Sequence, residues 1–164
     1  MEETLSTPDD HLTRAIQLAL ENVRTRKGRP FGAVLVKDDQ VVATGVNTVL
    51  SSHDPTAHAE LEAIRAAART QQNPRLDGYV MYASGHPCPM CLAVMYLVGI
   101  RQVYYAYSNE DGEPFGLSTK NLYAELAKPL SAQAMQLEYR PLRLPEQDLY
   151  EAWGQIDRDR SRNI

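Results

Sequence analysis

At 164 residues, with 43% apolar and 23% charged side chains, the chain has the composition of an ordinary globular protein and the length of one domain, expected over 1–164. A net charge of −4 speaks against a nucleic-acid partner held by its phosphate backbone, and no apolar run approaches the roughly 20 residues that span a bilayer. Met1 to Asp10 is polar and acidic with no secretory pattern, and the two cysteines share one C-x-x-C with none spare for a disulfide; a cytoplasmic setting is expected.

Thr7-Pro8-Asp9-Asp10 reads as a helix start, with a capping hydroxyl, a first-turn proline and acids at the positive end of the dipole. Leu12, Ile16, Ala19, Leu20 and Val23 then recur at helical spacing and predict the buried face. Gly28 stops the helix, and the basic group Arg24, Arg26, Lys27 and Arg29 reads as its solvated end. Ala33 to Lys37 and Val41 to Val46 are β-branched runs around Asp38-Asp39-Gln40, a hairpin pattern. Gly32 and Gly45 in these strands point to a bend or a close backbone approach. Asn47, directly after the second strand, reads by itself as a turn residue.

Asp54-Pro55 can open the next helix, with Leu61, Ile64, Ala67 and Ala68 facing inward and Asn73-Pro74 closing it. Tyr79 to Ser84 predicts a buried strand. Cys88 then reads as an N-cap, Pro89 as the first helical residue and Cys91 as the third, leading into Leu92, Met95 and Val98. Gln102 to Tyr107 predicts another buried strand, parallel to the last because a helix separates them. Ser108 to Pro114 is an acidic loop. Ser118 caps a short helix ending near Pro129, Met135 to Arg140 is a last strand, and Pro145 opens a final helix with Leu149, Trp153 and Ile156 on one face. The tail, residues 158–164, is expected to fray or to form a lid. This order predicts a three-layer α/β/α fold, with a mixed five-stranded sheet covered by helices on both faces.

The chemistry concentrates at Cys88-Pro89-Met90-Cys91 and, thirty positions earlier, His58-Ala59-Glu60. Alone, a C-x-x-C fits a thiol redox pair or part of a structural zinc site as readily as a catalytic one. One imidazole and two thiolates suit Zn²⁺ and fill three of its usual four positions, leaving one for water; His53 or His86 would close the set as a fourth ligand. Placing the thiols at a helix start has a purpose, since the positive helix end favours thiolates. Residues at i and i+2 of a helix point roughly 200° apart at about 3.6 residues per turn. His58 and Glu60 therefore face one centre only if His58 sits at the irregular start of its helix.

The two-part pattern His58-Ala59-Glu60 with Pro87-Cys88-Pro89-Met90-Cys91 resembles the cytidine deaminase superfamily, and most of all its guanine deaminase and tRNA adenosine deaminase branches. Pro30 to Val36, Asn47 and Asp54 to Glu60 follow in family order, so the resemblance spans roughly residues 10–110. It implies a cytidine deaminase-like fold, one zinc held by His58, Cys88 and Cys91, and Glu60 as the carboxylate that moves protons during hydrolytic release of ammonia. In isolation Glu60 would pass for a surface helix carboxylate. The resemblance also implies that Asn47 bonds the substrate, with Phe31, Ala59, Pro87 and His86 as further substrate-side candidates. Phe31 reads equally as a core aromatic, and His86 stands where such relatives carry a glutamate. The aspartate that guanine deaminases place after the fourth strand has no counterpart in Gly116 to Lys120, which leaves Glu110, Asp111 and Glu113 as substitutes. The implied substrate is a free nucleobase, guanine first, with tRNA wobble adenosine, isocytosine or an aminotriazine as alternatives. A zinc-stabilised scaffold without turnover is the reading from another class. A homodimer is expected, and a membrane or nucleic-acid partner is not.

Overall fold

Thr7 closes the first helix as the sequence suggests. Its hydroxyl accepts from Asp10 N–H while the Asp10 carboxylate accepts from Thr7 N–H, a reciprocal cap. The computed structural model describes residues 7–161. They fall into two units, divided between Ala127 and Lys128.

In the first unit α1 (Pro8–Arg24) is followed by β1 (Gly32–Lys37) and β2 (Gln40–Val46), then by the single turn α2 (Val49–Ser52) and by α3 (Ala59–Gln71). β3 (Val80–Gly85), α4 (Pro89–Val98), β4 (Gln102–Tyr107), the short α5 (Asn109–Gly112) and α6 (Lys120–Leu126) complete it. The sheet order is β2-β1-β3-β4, with β1 antiparallel to both neighbours and β3 parallel to β4. Asp38 and Asp39 both take positive φ, at 48° and 59°, which gives the two-residue hairpin the twist its strands require.

β1 lies in mid-sheet and is buried on both faces, so its residues alternate between two cores. Ala33 and Leu35 pack with Met81, Ala63, Ile64, Cys91 and Met95 under α3 and α4. Val34 and Val36 pack with Tyr82 and Ala15 under α1. The three layers are those expected from the sequence. The buried side of α1 carries His11, Ala15, Ala19 and Asn22, whereas Leu20 and Val23 stay about half exposed. The cause is proximity: α1 lies so near β1 that a Cβ at Gly32 would meet Ala15 O at 2.4 Å. Only small side chains fit along that line, and the larger apolar ones splay to its margins.

Several expectations are corrected. The sheet has four strands among the described residues, not five. In the second unit Met135 to Arg140 has the alternating pattern of a strand but joins no ladder, and a strand exists only where a neighbour takes up its backbone groups. β4 is therefore the sheet's edge, with Tyr105 and Tyr107 half exposed rather than buried. The acidic loop after it is a helical turn, because Ser108 and Asp111 cap each other reciprocally. α3 begins at Ala59, four residues after the Asp54-Pro55 start read from the sequence, since Asp54 instead bonds the N–H and hydroxyl of Thr56 in a local turn. α6 starts at Lys120 rather than beside Ser118. In the second unit α7 (Leu149–Ser161) starts after Asp148, whose carboxylate accepts from Tyr150 and Glu151 N–H. Leu149, Trp153 and Ile156 are exposed, and the helix continues through residues 158–161; 162–164 lie outside the described residues. No helix among the described residues is long and apolar enough to cross a membrane.

One close approach sets where α3 begins relative to the sheet. A Cβ on Gly45 of β2 would lie 2.1 Å from Ala59 O and 2.7 Å from Ala63 N, so the first turn of α3 rests directly on that strand. Gly45→Ala is expected to destabilise the fold by about 1–3 kcal/mol, as overpacking does, and to lower zinc retention by displacing the start of α3. Urea unfolding and metal analysis of the purified variant measure both, and an unchanged midpoint would show that the helix yields freely.

Candidate metal centre

Two helix starts meet under the sheet's end. His58 is the N-cap of α3, with extended backbone at φ −79° and ψ 154°, so the imidazole leaves the helix rather than following its spiral. That placement meets the i, i+2 requirement read from the sequence. A small network holds it: Arg65 Nη2 donates to Thr56 Oγ1 at 2.7 Å, Thr56 donates to Asp54, and His58 N–H closes onto Thr56 O at 2.7 Å. On α4, Cys88 is the N-cap, Pro89 follows it, and Cys91 lies one turn on, fully buried.

His58 Nδ1 lies 3.4 Å from Cys88 Sγ and 3.6 Å from Cys91 Sγ. For zinc–sulfur bonds of about 2.3 Å and a zinc–nitrogen bond of about 2.05 Å at a tetrahedral angle, the nitrogen and each sulfur should be about 3.6 Å apart. The donor set therefore fits zinc in ligand type and in spacing. Among the described residues this trio is the group able to hold a metal, and neither His53 nor His86 joins it. Three ligands leave a fourth position, which is the catalytic rather than the structural pattern.

With protons alone to balance the cluster, the two thiols behave as a pair. A hydrogen bond from Cys91 draws Cys88 down to about 4, helped by His58 and opposed by burial. The same bond, with burial and the Glu60 carboxylate, pushes Cys91 up. A divalent cation held by this set would favour the thiolate form of both cysteines, as the positive end of α4 does for Cys88.

Glu60 is buried beside this set, 6% exposed, with Oε2 3.5 Å from Cys91 Sγ. Burial raises its pKa and outweighs the backbone and His58 contributions that lower it. A carboxyl group so placed holds a proton more readily than one in water.

A cavity of about 50 Å³ opens from the metal end, lined by His58, Glu60 and Cys88 together with Asn47, Phe31 and His86. It adjoins a larger, mostly apolar cavity of about 400 Å³ that shares Phe31 and His86 as walls. Ala59 and Pro87 are buried beside the centre but do not line this metal-end cavity. Arg29, Leu117 and Thr119 do line it, and sequence reasoning passed over them. Arg29 had a signal, standing directly before Pro30-Phe31; Leu117 and Thr119 had none beyond their loop.

The hydrogen bonds settle what these side chains can offer. Asn47, 1% exposed, accepts at Oδ1 from both Arg29 N–H (3.3 Å) and Val49 N–H (3.2 Å). Both acceptor positions are filled, so Asn47 presents its Nδ2 as a donor to the cavity. Asn109 accepts at Oδ1 from Thr119 N–H at 2.9 Å, which turns its Nδ2 toward His86 Nδ1 at 3.1 Å. The neutral His86 ring therefore carries its proton on Nε2, and the rings of Tyr105 and Tyr123 pack edge-on against it. Where a glutamate would accept, His86 can only donate. None of the three candidate acids lines the metal-end cavity. Asp111 caps α5, Glu113 pairs with Lys120, and Glu110 is exposed.

A sheet in this order, with paired helix starts, a His-Cys-Cys donor set and a buried carboxylate, defines a zinc-dependent deaminase. The family model for the cytidine and deoxycytidylate deaminase zinc-binding region matches residues 6–107, and the chain belongs to that family. It is 40% identical over 143 residues to the guanine deaminase of Bacillus subtilis strain 168, covering 87% of this chain and 90% of that one. It is 32% identical over 148 residues to a tRNA-specific adenosine deaminase of Agrobacterium fabrum, covering 82% and 97%. The X-ray structure of guanine deaminase from Bacillus subtilis superposes with a TM-score of 0.82 at 37% identity, covering 92% of this chain and 95% of the other.

The native protein should carry one zinc per chain. Cys91→Ala and His58→Ala are expected to lose it, and Glu60→Gln to keep it, because Glu60 lies outside the donor trio. Metal analysis of the three purified variants decides, and a Glu60→Gln protein without zinc would make Glu60 a ligand.

Proposed function

We propose that the chain is a hydrolytic deaminase of a free nucleobase, with guanine as the substrate, working as a single domain on a small molecule in the cytoplasm. The observation that carries this is the likeness to Bacillus guanine deaminase, which holds at 40% identity through nine-tenths of that protein. The cavity agrees with it, being narrow at the metal end and flanked by one aromatic ring, Phe31.

In this reading the amino-bearing carbon lies at the metal end, where a C–O bond forms and a C–N bond breaks. Zinc held by His58, Cys88 and Cys91 supplies the activation of water, whose pKa it lowers to about 7. Glu60 takes the proton that water gives up and delivers it to the ring nitrogen next to the reacting carbon, then takes the second proton from the hydroxyl newly bonded to that carbon and passes it to the amine, which departs as ammonia. Its burial suits this work, because a carboxyl group with a raised pKa holds a proton long enough to hand it on. Phe31 flanks the ring and gives its face an apolar wall. Asn47 Nδ2 donates to a ring acceptor and fixes which carbon faces the metal end. His86 and Thr119 form the outer wall with Leu117.

A tRNA wobble adenosine is the second reading, supported by the relative whose whole length is 97% covered at 32% identity. The net charge of −4 and the absence of a basic groove signal in the sequence favour the free base. A homodimer is part of the proposal by resemblance. Light scattering at micromolar concentration is expected to give twice the chain mass, and a value near 18.4 kDa refutes it.

The deciding experiment is ammonia release by zinc-loaded protein across free bases, their nucleosides, isocytosine, aminotriazines and tRNA. Guanine is expected to be turned over far better than guanosine, since ribose needs room the metal end lacks. Glu60→Gln is expected to lose about 10²- to 10⁴-fold in kcat. Deamination of tRNA adenosine with every free base inert would transfer the assignment to the second reading.

A further inference from the structure

Arg29 belongs to a basic group that the sequence presents as a solvated helix end, yet its surroundings are not those of a free surface cation. Its N–H donates to Asn47 Oδ1, and its carbonyl accepts from Asn22 Nδ2 at 2.9 Å and from Phe31 N–H at 2.8 Å. The backbone of Arg29 is thus tied to Phe31 and Asn47, which line the metal-end cavity. Gly28 before it has no space for a side chain, as a Cβ there would lie 1.8 Å from Asn47 O. Arg29 is among the residues lining that cavity while remaining exposed to solvent, and among the described residues its guanidinium has no ion pair or hydrogen bond.

The cavity wants an acceptor at its outer end. Glu60 and the Thr119 hydroxyl apart, the latter donating to Asn109 Oδ1 at 3.4 Å, the polar side chains lining it offer donors, namely Asn47 Nδ2, the Nε2–H of His86 and the five N–H groups of Arg29. The enclosed metal end, about 50 Å³, covers only the reacting side of a purine. In guanine the amine sits on C2, and C2 lies across the six-membered ring from C5. With C2 at the metal end, the O6 and N7 edge faces outward. That edge is two acceptors side by side, the pattern that an arginine fork bonds with both arms. Adenine presents an amino donor beside N7 at the equivalent edge and repels the same fork.

We propose that Arg29 is the specificity residue of this site, its guanidinium at the cavity mouth reading the O6 and N7 acceptors of guanine. This rests on the guanine reading given above and adds the residue that would enforce it. A lysine keeps the charge but not the two-armed geometry.

The test compares guanine with 7-deazaguanine, which keeps the C2 amine and O6 but replaces N7 by a C–H. Steady-state ammonia release is measured with the full-length zinc-loaded native protein, Arg29→Lys and Arg29→Met, after zinc content and circular dichroism have been matched. The native protein is expected to favour guanine over 7-deazaguanine by about tenfold or more in kcat/KM. Both variants are expected to lose most of that preference, because guanine falls to the level of its analogue. Loss of fold alone would lower both substrates together and leave the ratio in place. If Arg29→Met does not fold, Arg29→Lys, with its similar stem and the same charge, carries the measurement. A native protein indifferent to N7, or variants that keep the native ratio while guanine is turned over, overturns this inference alone. A native protein inert toward guanine removes the guanine reading, and the role of Arg29 falls with it.

Discussion

The site depends on one constraint: a histidine and a glutamate two residues apart must face the same point. A continuous helix cannot do this, because its spiral sends them to opposite sides. The chain resolves the conflict by ending the helix between them. His58 stands outside α3 in extended conformation, and Glu60 lies inside its first turn. Everything near the centre follows from holding that junction still. Gly45 lets the first turn of α3 lie on β2, and the Asp54–Thr56–Arg65 network fixes the approach to His58. α4 solves a matching problem with Cys88 as its N-cap and Cys91 one turn on.

Electrostatics and solvation work together at this junction. Two helix starts bring partial positive charge to a place that must hold thiolates and a carboxylate. The cost of burying such groups is offset by pairing them, as the hydrogen bonds among Cys88, Cys91 and His58 show. Glu60 is the least compensated of the set, and burial dominates its behaviour. A buried carboxyl group with weak compensation is a poor stabiliser and a good proton carrier. The same arrangement thus leaves one residue weakly compensated while its neighbours are engaged in hydrogen bonds.

The outer part of the site follows a different logic, in which backbone groups decide what side chains present. Asn47 loses its acceptor to Arg29 and Val49, and Asn109 is turned by Thr119, which in turn sets the His86 ring. These are fixed donors, since none of their partners can reverse its role. No acid other than Glu60 lines the metal-end cavity.

The amino-acid sequence by itself picked out the three candidate metal ligands, the carboxylate beside them and the helix starts that carry them. These are local matters, set by spacing along a few residues and by caps such as Thr7 and Cys88 with Pro89. It also determined the hairpin and the layering, because alternation in β1 assigns each residue a face. Tertiary structure decided the rest. Met135 to Arg140 alternates like a strand and forms none, since a ladder depends on a neighbour that pattern cannot supply. Leu20 and Val23 were expected inside, and the close approach of α1 to β1 gave their place to alanines. Arg29 looked like a solvated charge, and Asn47 offered donor and acceptor alike. Their roles were decided by hydrogen bonds among Asn22, Arg29, Phe31, Asn47 and Val49, whose partners lie up to 25 residues apart and meet only in the folded chain.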